Sequence, residues 1–184
     1  MNTQIVIKFL SLVTLLSNIG IALFILGLIL HKLKVKIDLF KKVVSFFTKN
    51  STSASLIIAL VATGGSLYLS EIAHFEPCRL CWYQRIFMYP LVFLLGISLW
   101  KKTKDVWIYV LPLAIVGAVI ALYHYYLQVT PSALAPCSTV GISVSCSERP
   151  FIHFGYITIP WMSLSAFTLI IIGMFLRKSK LTKS

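Results

Sequence analysis

Charge is scarce in this sequence, and acid is scarcer still. Of 184 residues only 12% are charged, with five Asp or Glu against seventeen Lys or Arg. With 58% hydrophobic residues and a mean hydropathy of +0.89, so little charge excludes a soluble globule and points to an integral membrane protein of one domain. No soluble domain is present to display the net charge of +12, because the basic residues fall in short clusters between apolar runs. That placement argues against a nucleic-acid partner and matches the excess of Lys and Arg in cytoplasmic loops of membrane proteins. Internal repeats and low-complexity tracts are lacking. No span carries an ion relay or a broken-helix pair, so a transporter is a poor fit.

What is present is apolar helix, five times over. Residues 9–30 run apolar for 22 positions, about 33 Å at roughly 1.5 Å per residue, enough to cross a bilayer. No small-x-small cleavage site follows, so this segment is expected to be a retained helix. Between residues 31 and 50 Lys32, Lys34, Lys36, Lys41, Lys42 and Lys49 alternate with Ile37, Leu39, Phe40, Val43, Val44, Phe46 and Phe47. The mixture suits a basic amphipathic segment on an anionic membrane face or a solvated linker. Further spans are expected at 54–73, 82–100, 106–127 and 161–176. Gly64, Gly65 and Ser66 in the second should allow close helix contact, and Pro112 in the fourth should kink it or sit in its first turn. The expected fold is an all-α integral membrane protein: a four-helix transmembrane bundle plus one extra N-terminal transmembrane helix. Three regions follow: 1–53 (helix and basic cytoplasmic linker), 54–176 (bundle) and 177–184 (basic cytoplasmic tail).

Charge also sets the orientation. Segments 31–50, 101–105 and 177–184 carry six, three and four Lys or Arg, whereas loops 74–81 and 128–159 carry only Arg79 and Arg149. The basic segments are therefore expected inside and both cysteine-bearing loops outside. With five spans the N-terminus is outside and the C-terminus inside. An even count of four cysteines, all beside the membrane, fits a disulfide-permissive compartment.

The chemistry concentrates at 76–85, EPCRLCWYQR. Cys78 and Cys81 form a C-x-x-C pair, which either cycles between dithiol and disulfide or supplies half of a zinc site. Pro77 precedes the pair and an apolar run follows, so Cys81 should lie in the first turn of a helix, where unpaired N–H groups and the helix dipole favour a thiolate. Arg85 is four residues on, about one turn deeper on the same face. It offers a positive charge to an anion, or snorkels to lipid headgroups.

Cys137 and Cys146 enclose STVGISVS, a loop short and flexible enough for the two sulfurs to meet. They form either a structural staple or a second redox pair exchanging with the first. Neither pair has the symmetry of a zinc ribbon, and no metal is expected. The stretch Pro150, Phe151, Ile152, Phe154, Tyr156, Ile157 and Ile159 is too apolar for a free loop and should rest on the bilayer or on the helix ends; His153 within it either donates a proton or packs among the aromatics. His124 and Gln128 share one face at the outer end of the fourth span, where a histidine either exchanges protons near neutral pH or is simply an interfacial residue. Trp82, Tyr83, Phe87 and Tyr89 suit an isoprenoid ring and tail, or simply lipid.

Taken together, PCRLCWYQR at 77–85, HYYLQ at 124–128, the loop bearing Pro136, Cys137 and Cys146, and GYITIP at 155–160 resemble the DsbB/BdbC family of quinone-dependent disulfide-forming membrane proteins. The continuation WYQRIFMYPL is most similar to the BdbC branch. The likeness covers residues 54–176. It implies a four-helix bundle in the bacterial plasma membrane that takes electrons from an extracytoplasmic thioredoxin-fold thiol oxidase of the DsbA/BdbD kind. These pass to membrane quinone, ubiquinone or menaquinone, and so drive disulfide formation in exported proteins. By the same resemblance Cys137 and Cys146 exchange with the partner, and Cys78 and Cys81 take over the electrons. Cys81 faces the quinone as a thiolate, Arg85 holds the quinone oxygen, and His124 assists proton uptake. Two departures stand out: the segment before residue 54 is extra to the usual bundle, and the gap between Cys137 and Cys146 is shorter than in proteobacterial members. The rival readings are a vitamin-K-epoxide-reductase-like quinone reductase, in which the loop pair normally precedes the C-x-x-C, and a non-catalytic membrane assembly or partner protein whose cysteines are staples.

Overall fold

The structure is a computed structural model that describes residues 3–33, 38–130, 146–147 and 149–183. Cys137, the STVGISVS loop, Lys34 and Lys36 lie outside the described residues. Among the described residues there are six α-helices: α1 Thr3–Lys32, α2 Asp38–Lys49, α3 Ser51–Leu67, α4 Arg79–Lys101, α5 Trp107–Val129 and α6 Ile159–Lys183. All but α2 are long and apolar enough to span a bilayer, α3 together with its continuation to Ile72. Among the described residues there is no strand, only an isolated bridge between His153 and Ile157. This is a multi-pass all-α membrane protein, with the four-helix bundle and the additional N-terminal helix that the apolar runs predict.

Helices α3, α4, α5 and α6 surround a core of Ala59, Met88, Leu91, Leu95, Val110, Ala114, Phe167, Ile170 and Met174. Lipid is as apolar as these side chains, so the bundle depends on close fit rather than on escape from water. The fit is made at Gly117, where any Cβ would collide with the ring of Phe167, and at Gly173, where a Cβ would come within 2.7 Å of Ser55 Oγ. Neither is a glycine singled out by sequence. Gly64 instead faces open space, Gly65 receives the side chain of Leu10, and Ser66 binds an arginine. Pro112 and Pro90 both lie inside helices, α5 and α4.

The two ends of the bundle are built differently. At one end Arg177 donates to the carbonyls of Thr103 (2.6 Å) and Lys104 (3.1 Å) and to Thr52 Oγ1, tying the start of α3, the α4–α5 turn and the end of α6 together. The turn closes at Lys102, whose φ of 52° lets Thr103 N–H reach Ser98 O, a left-handed helix stop. Next to this end α2 forms an amphipathic helix, in line with the basic amphipathic reading of that stretch. At the other end α3 continues as a π-helical turn, Tyr68–Ile72, and stops at His74, with φ 55°. The chain then passes through Pro77 into α4. Of the apolar run after residue 149, Ile157 is fully buried and Phe151 packs against Phe75 and against the ring of His153, whereas Ile152 and Phe154 stay exposed.

Candidate functional site

Cys78 is the N-cap of α4, with φ −67° and ψ 171°, and its carbonyl accepts from Trp82 N–H at 3.2 Å. A cap in this conformation folds its side chain back over the first turn. There the Cys78 thiol donates to Cys81 Sγ at 3.4 Å, so the pair is preformed by helix geometry alone. Cys78 lies 3.6 Å from His124 Nε2, and that nitrogen is also 3.2 Å from the carbonyl of Cys146. Cys146, which is 1% exposed, also lies within electrostatic reach of Cys81. Three of the four cysteines and His124 thus meet at one end of the bundle; Cys137 is outside the described residues.

His124 is 2% exposed, which places it in the interior rather than at the interface. Its Nδ1 is 2.9 Å from the amide nitrogen of Gln84. That nitrogen can only donate, so Nδ1 accepts and the imidazole proton sits on Nε2, aimed at Cys78 and at the Cys146 carbonyl. Cys78 is pushed up to about 12, first because it donates to Cys81, next because it is buried, with His124 opposing both. It is therefore the protonated partner of the pair across neutral pH, and Cys81 is the acceptor sulfur. The ligand atoms of Cys78, Cys81 and His124 fall within 4.8 Å of one another, close enough to hold a soft metal ion. With its proton on Nε2, however, His124 faces the sulfurs as a donor rather than as a ligand.

A cavity of about 560 Å³ opens from these sulfurs into the bundle, within the size range of small-molecule sites. Arg85 lines it and is only 8% exposed, so it does not snorkel. Its Nε and Nη2 donate at 3.0 Å each to the hydroxyl and carbonyl of Ser66, and its guanidinium lies 5.1 Å over the Trp82 ring. Among the described residues no hydrogen bond engages its Nη1. One turn deeper the hydroxyl of Tyr89 is buried at the cavity with no partner among the described residues. Gln128 lines the same space, on the same face of α5 as His124. Of the four aromatics the sequence offered, only Tyr89 reaches the cavity; Trp82 and Tyr83 are half exposed on the outer surface and Phe87 packs against the core.

Two site residues escaped sequence reasoning. Gln84 had a signal, three residues after Cys81 and so on the same helix face. Ser66 had none, since it reaches Arg85 from another helix 19 residues earlier.

Comparison with known proteins gives the same answer. The profile of the family described as "Disulfide bond formation protein DsbB" matches residues 49–176. Over 129 residues the chain is 51% identical to "Disulfide bond formation protein C" of Bacillus subtilis (strain 168), covering 69% of this chain and 91% of that protein. It is 47% identical over 118 residues to "Probable disulfide formation protein C 1" of Bacillus anthracis, covering 64% and 84%. A "Probable disulfide formation protein" of Coxiella burnetii (strain CbuK_Q154) is 43% identical over 111 residues, covering 60% and 75%. No solved structure matches. The family profile covers well over half of the chain, and the protein belongs to the DsbB family of disulfide bond formation proteins.

Proposed function

We propose that this membrane thiol–disulfide oxidoreductase reoxidises an extracytoplasmic thioredoxin-fold dithiol oxidase of the DsbA/BdbD kind and delivers the electrons to membrane quinone. The observation that carries the reading is one continuous site: Cys146, His124, Cys78 and Cys81 in contact at one end, opening onto the cavity that holds Arg85. Staples in a non-catalytic assembly protein would have no use for such a cavity beside a dithiol. The residues suit a quinone, ubiquinone or menaquinone, since the walls are mainly apolar while Arg85 Nη1 and the Tyr89 hydroxyl are spare donors. When bound, quinone supplies acceptance of two electrons and two protons.

The chain's own residues do the rest. Cys137 and Cys146 exchange with the partner: its dithiol closes to a disulfide as theirs opens, and they are restored by exchange with Cys78 and Cys81. Cys78 and the Cys146 carbonyl both contact His124 Nε2, and Cys78 keeps its proton on the sulfur until Cys81 has reacted. Cys81 lines the cavity and is the sulfur that meets the acceptor. Arg85 would hold the acceptor oxygen and supply a fixed positive charge there in a low-dielectric site. His124, fixed by Gln84, moves a proton at Nε2 between the sulfurs and the cavity. By the distribution of Lys and Arg the cysteine end faces outward from the bacterial plasma membrane and the Arg177 end faces the cytoplasm.

The test is stopped-flow quinone reduction by purified protein supplied with a reduced thioredoxin-fold partner. Wild type should turn over and Cys78→Ser should be inactive. Quinone left untouched, with all cysteines locked as disulfides, would refute the relay.

A further inference from the structure

Helix α1 precedes residue 49, where the family match begins, and it is not idle lipid-facing ornament. Its two faces differ. Ile5, Phe9, Leu12, Leu16, Ile19 and Leu23 are 48–61% exposed, whereas Ile7, Ser11 and Thr14 are at most 7% exposed and point at the bundle. Along this inner face Leu10, Val13, Thr14 and Ser17 line the same cavity as Cys81 and Arg85. The hydroxyls of Thr14 and Ser17 donate back to Leu10 O and Val13 O, each at 2.8 Å, which spends their protons and leaves a smooth wall of methyl, methylene and acceptor oxygen.

The helix is held in register. Asn18, a polar residue in a span with mean hydropathy 2.4, accepts from Ser165 Oγ of α6 at 2.8 Å and donates to the Tyr156 hydroxyl at 3.4 Å. An amide in hydrocarbon is satisfied only by such partners, so the pair of bonds fixes both rotation and height of α1 against α6. Leu10 then fits beside Gly65 of α3, where an added Cβ would lie 3.2 Å from its methyl. Seated on α6 and touching α3, α1 bridges the two helices across the cavity.

We propose that α1 is the lateral wall of the acceptor cavity and selects the ligand's side chain: Leu10, Val13, Thr14 and Ser17 pack along an isoprenoid tail whose ring lies by Arg85. This rests on the quinone reading and adds to it a specificity element outside the shared bundle. A tail held along α1 contributes binding rather than chemistry, so its loss should raise KM and leave kcat nearly unchanged.

The experiment uses the full chain in nanodiscs, a reduced thioredoxin-fold partner, and two acceptors: a quinone with an isoprenoid tail and the same ring without one. Val13→Trp and Ser17→Phe narrow the wall, and Leu16→Trp places equal bulk on the lipid face, where Leu16 is 61% exposed. The wall variants should raise KM for the tailed quinone by about fivefold or more with kcat within about twofold, and should leave the tail-less ring within about twofold in both. Leu16→Trp should match wild type. Active wild type with both wall variants unchanged, or with kcat lowered alike for both acceptors, would overturn the wall and leave the relay standing. Wild type unable to reduce either acceptor would overturn the relay, and the wall with it. Should Val13→Trp fail to fold, Ser17→Phe carries the same two comparisons.

Discussion

Two arginines sit near opposite ends of the bundle, and they do different work. Arg177 spends all three of its nitrogens on the protein, two on carbonyls and one on Thr52, and acts as a clamp across three helix ends. Arg85 spends two nitrogens on a single serine and turns the remainder of its charge to a cavity. A charge fully consumed by backbone carbonyls stabilises; a charge anchored on one side and open on the other is poised for a ligand. The same contrast divides the whole molecule, with a stapled basic end and a sulfur end whose buried polar groups converge on one space.

The contrast can be broken most sharply at Cys81. Cys81→Ser should abolish quinone reduction, a fall of about a thousandfold or more, while a mixed disulfide with the partner remains trappable on a non-reducing gel. Full quinone reduction in this variant would sink the assignment. The substitution also removes the leading cause of the raised Cys78 pKa, so the thiol should drop from about 12 toward its ordinary 9.0. The sign is testable by alkylation against pH: in reduced wild type Cys78 stays protonated and unreactive until well above 9.0, and in the variant its reactivity appears lower on the pH scale.

Arg85→Ala comes next and should raise KM for quinone about tenfold or more, since the charge it removes faces a ligand, with only a modest fall in Tm from the two lost bonds to Ser66. Gln84→Leu should cost roughly three- to tenfold in turnover and broaden its pH profile, because His124 loses the group that fixes its tautomer. Arg177→Gln should do the opposite of all three. It should lower stability by about 1 kcal/mol, roughly 2–4 °C in Tm, and leave KM for quinone unaltered. A loss of quinone affinity in Arg177→Gln, or a collapse of Tm in Arg85→Ala, would erase the distinction between the two ends.

Much of this was legible in the chain. Five spans, their order, and the C-x-x-C at the mouth of a helix with Arg85 beneath it all follow from local rules: apolar run length, a proline before a helix start, and the 3.6-residue period. His124 and Gln128 were legible as a pair for the same reason. The aromatic cluster left cavity and lipid open because a helix in lipid is apolar on every side, so composition says nothing about which ring faces inward; Trp82 and Tyr83 point out and Tyr89 points in. Of Gly64, Gly65 and Ser66, expected to allow close helix contact, Gly65 does receive Leu10 of α1, but the tightest contacts are at Gly117 and Gly173.

By itself, then, the sequence determined the topology, the segregation of basic residues from cysteine loops, and the chemical type of the Cys78, Cys81 and Arg85 motif, because each depends on residues close along the chain. Only the tertiary structure decided that His124 carries its proton on Nε2, that Ser66 anchors Arg85, and that α1 lines the cavity. Those relations join residues 19 to 147 positions apart across separate helices, and in a uniformly apolar bundle no local period encodes which face meets which.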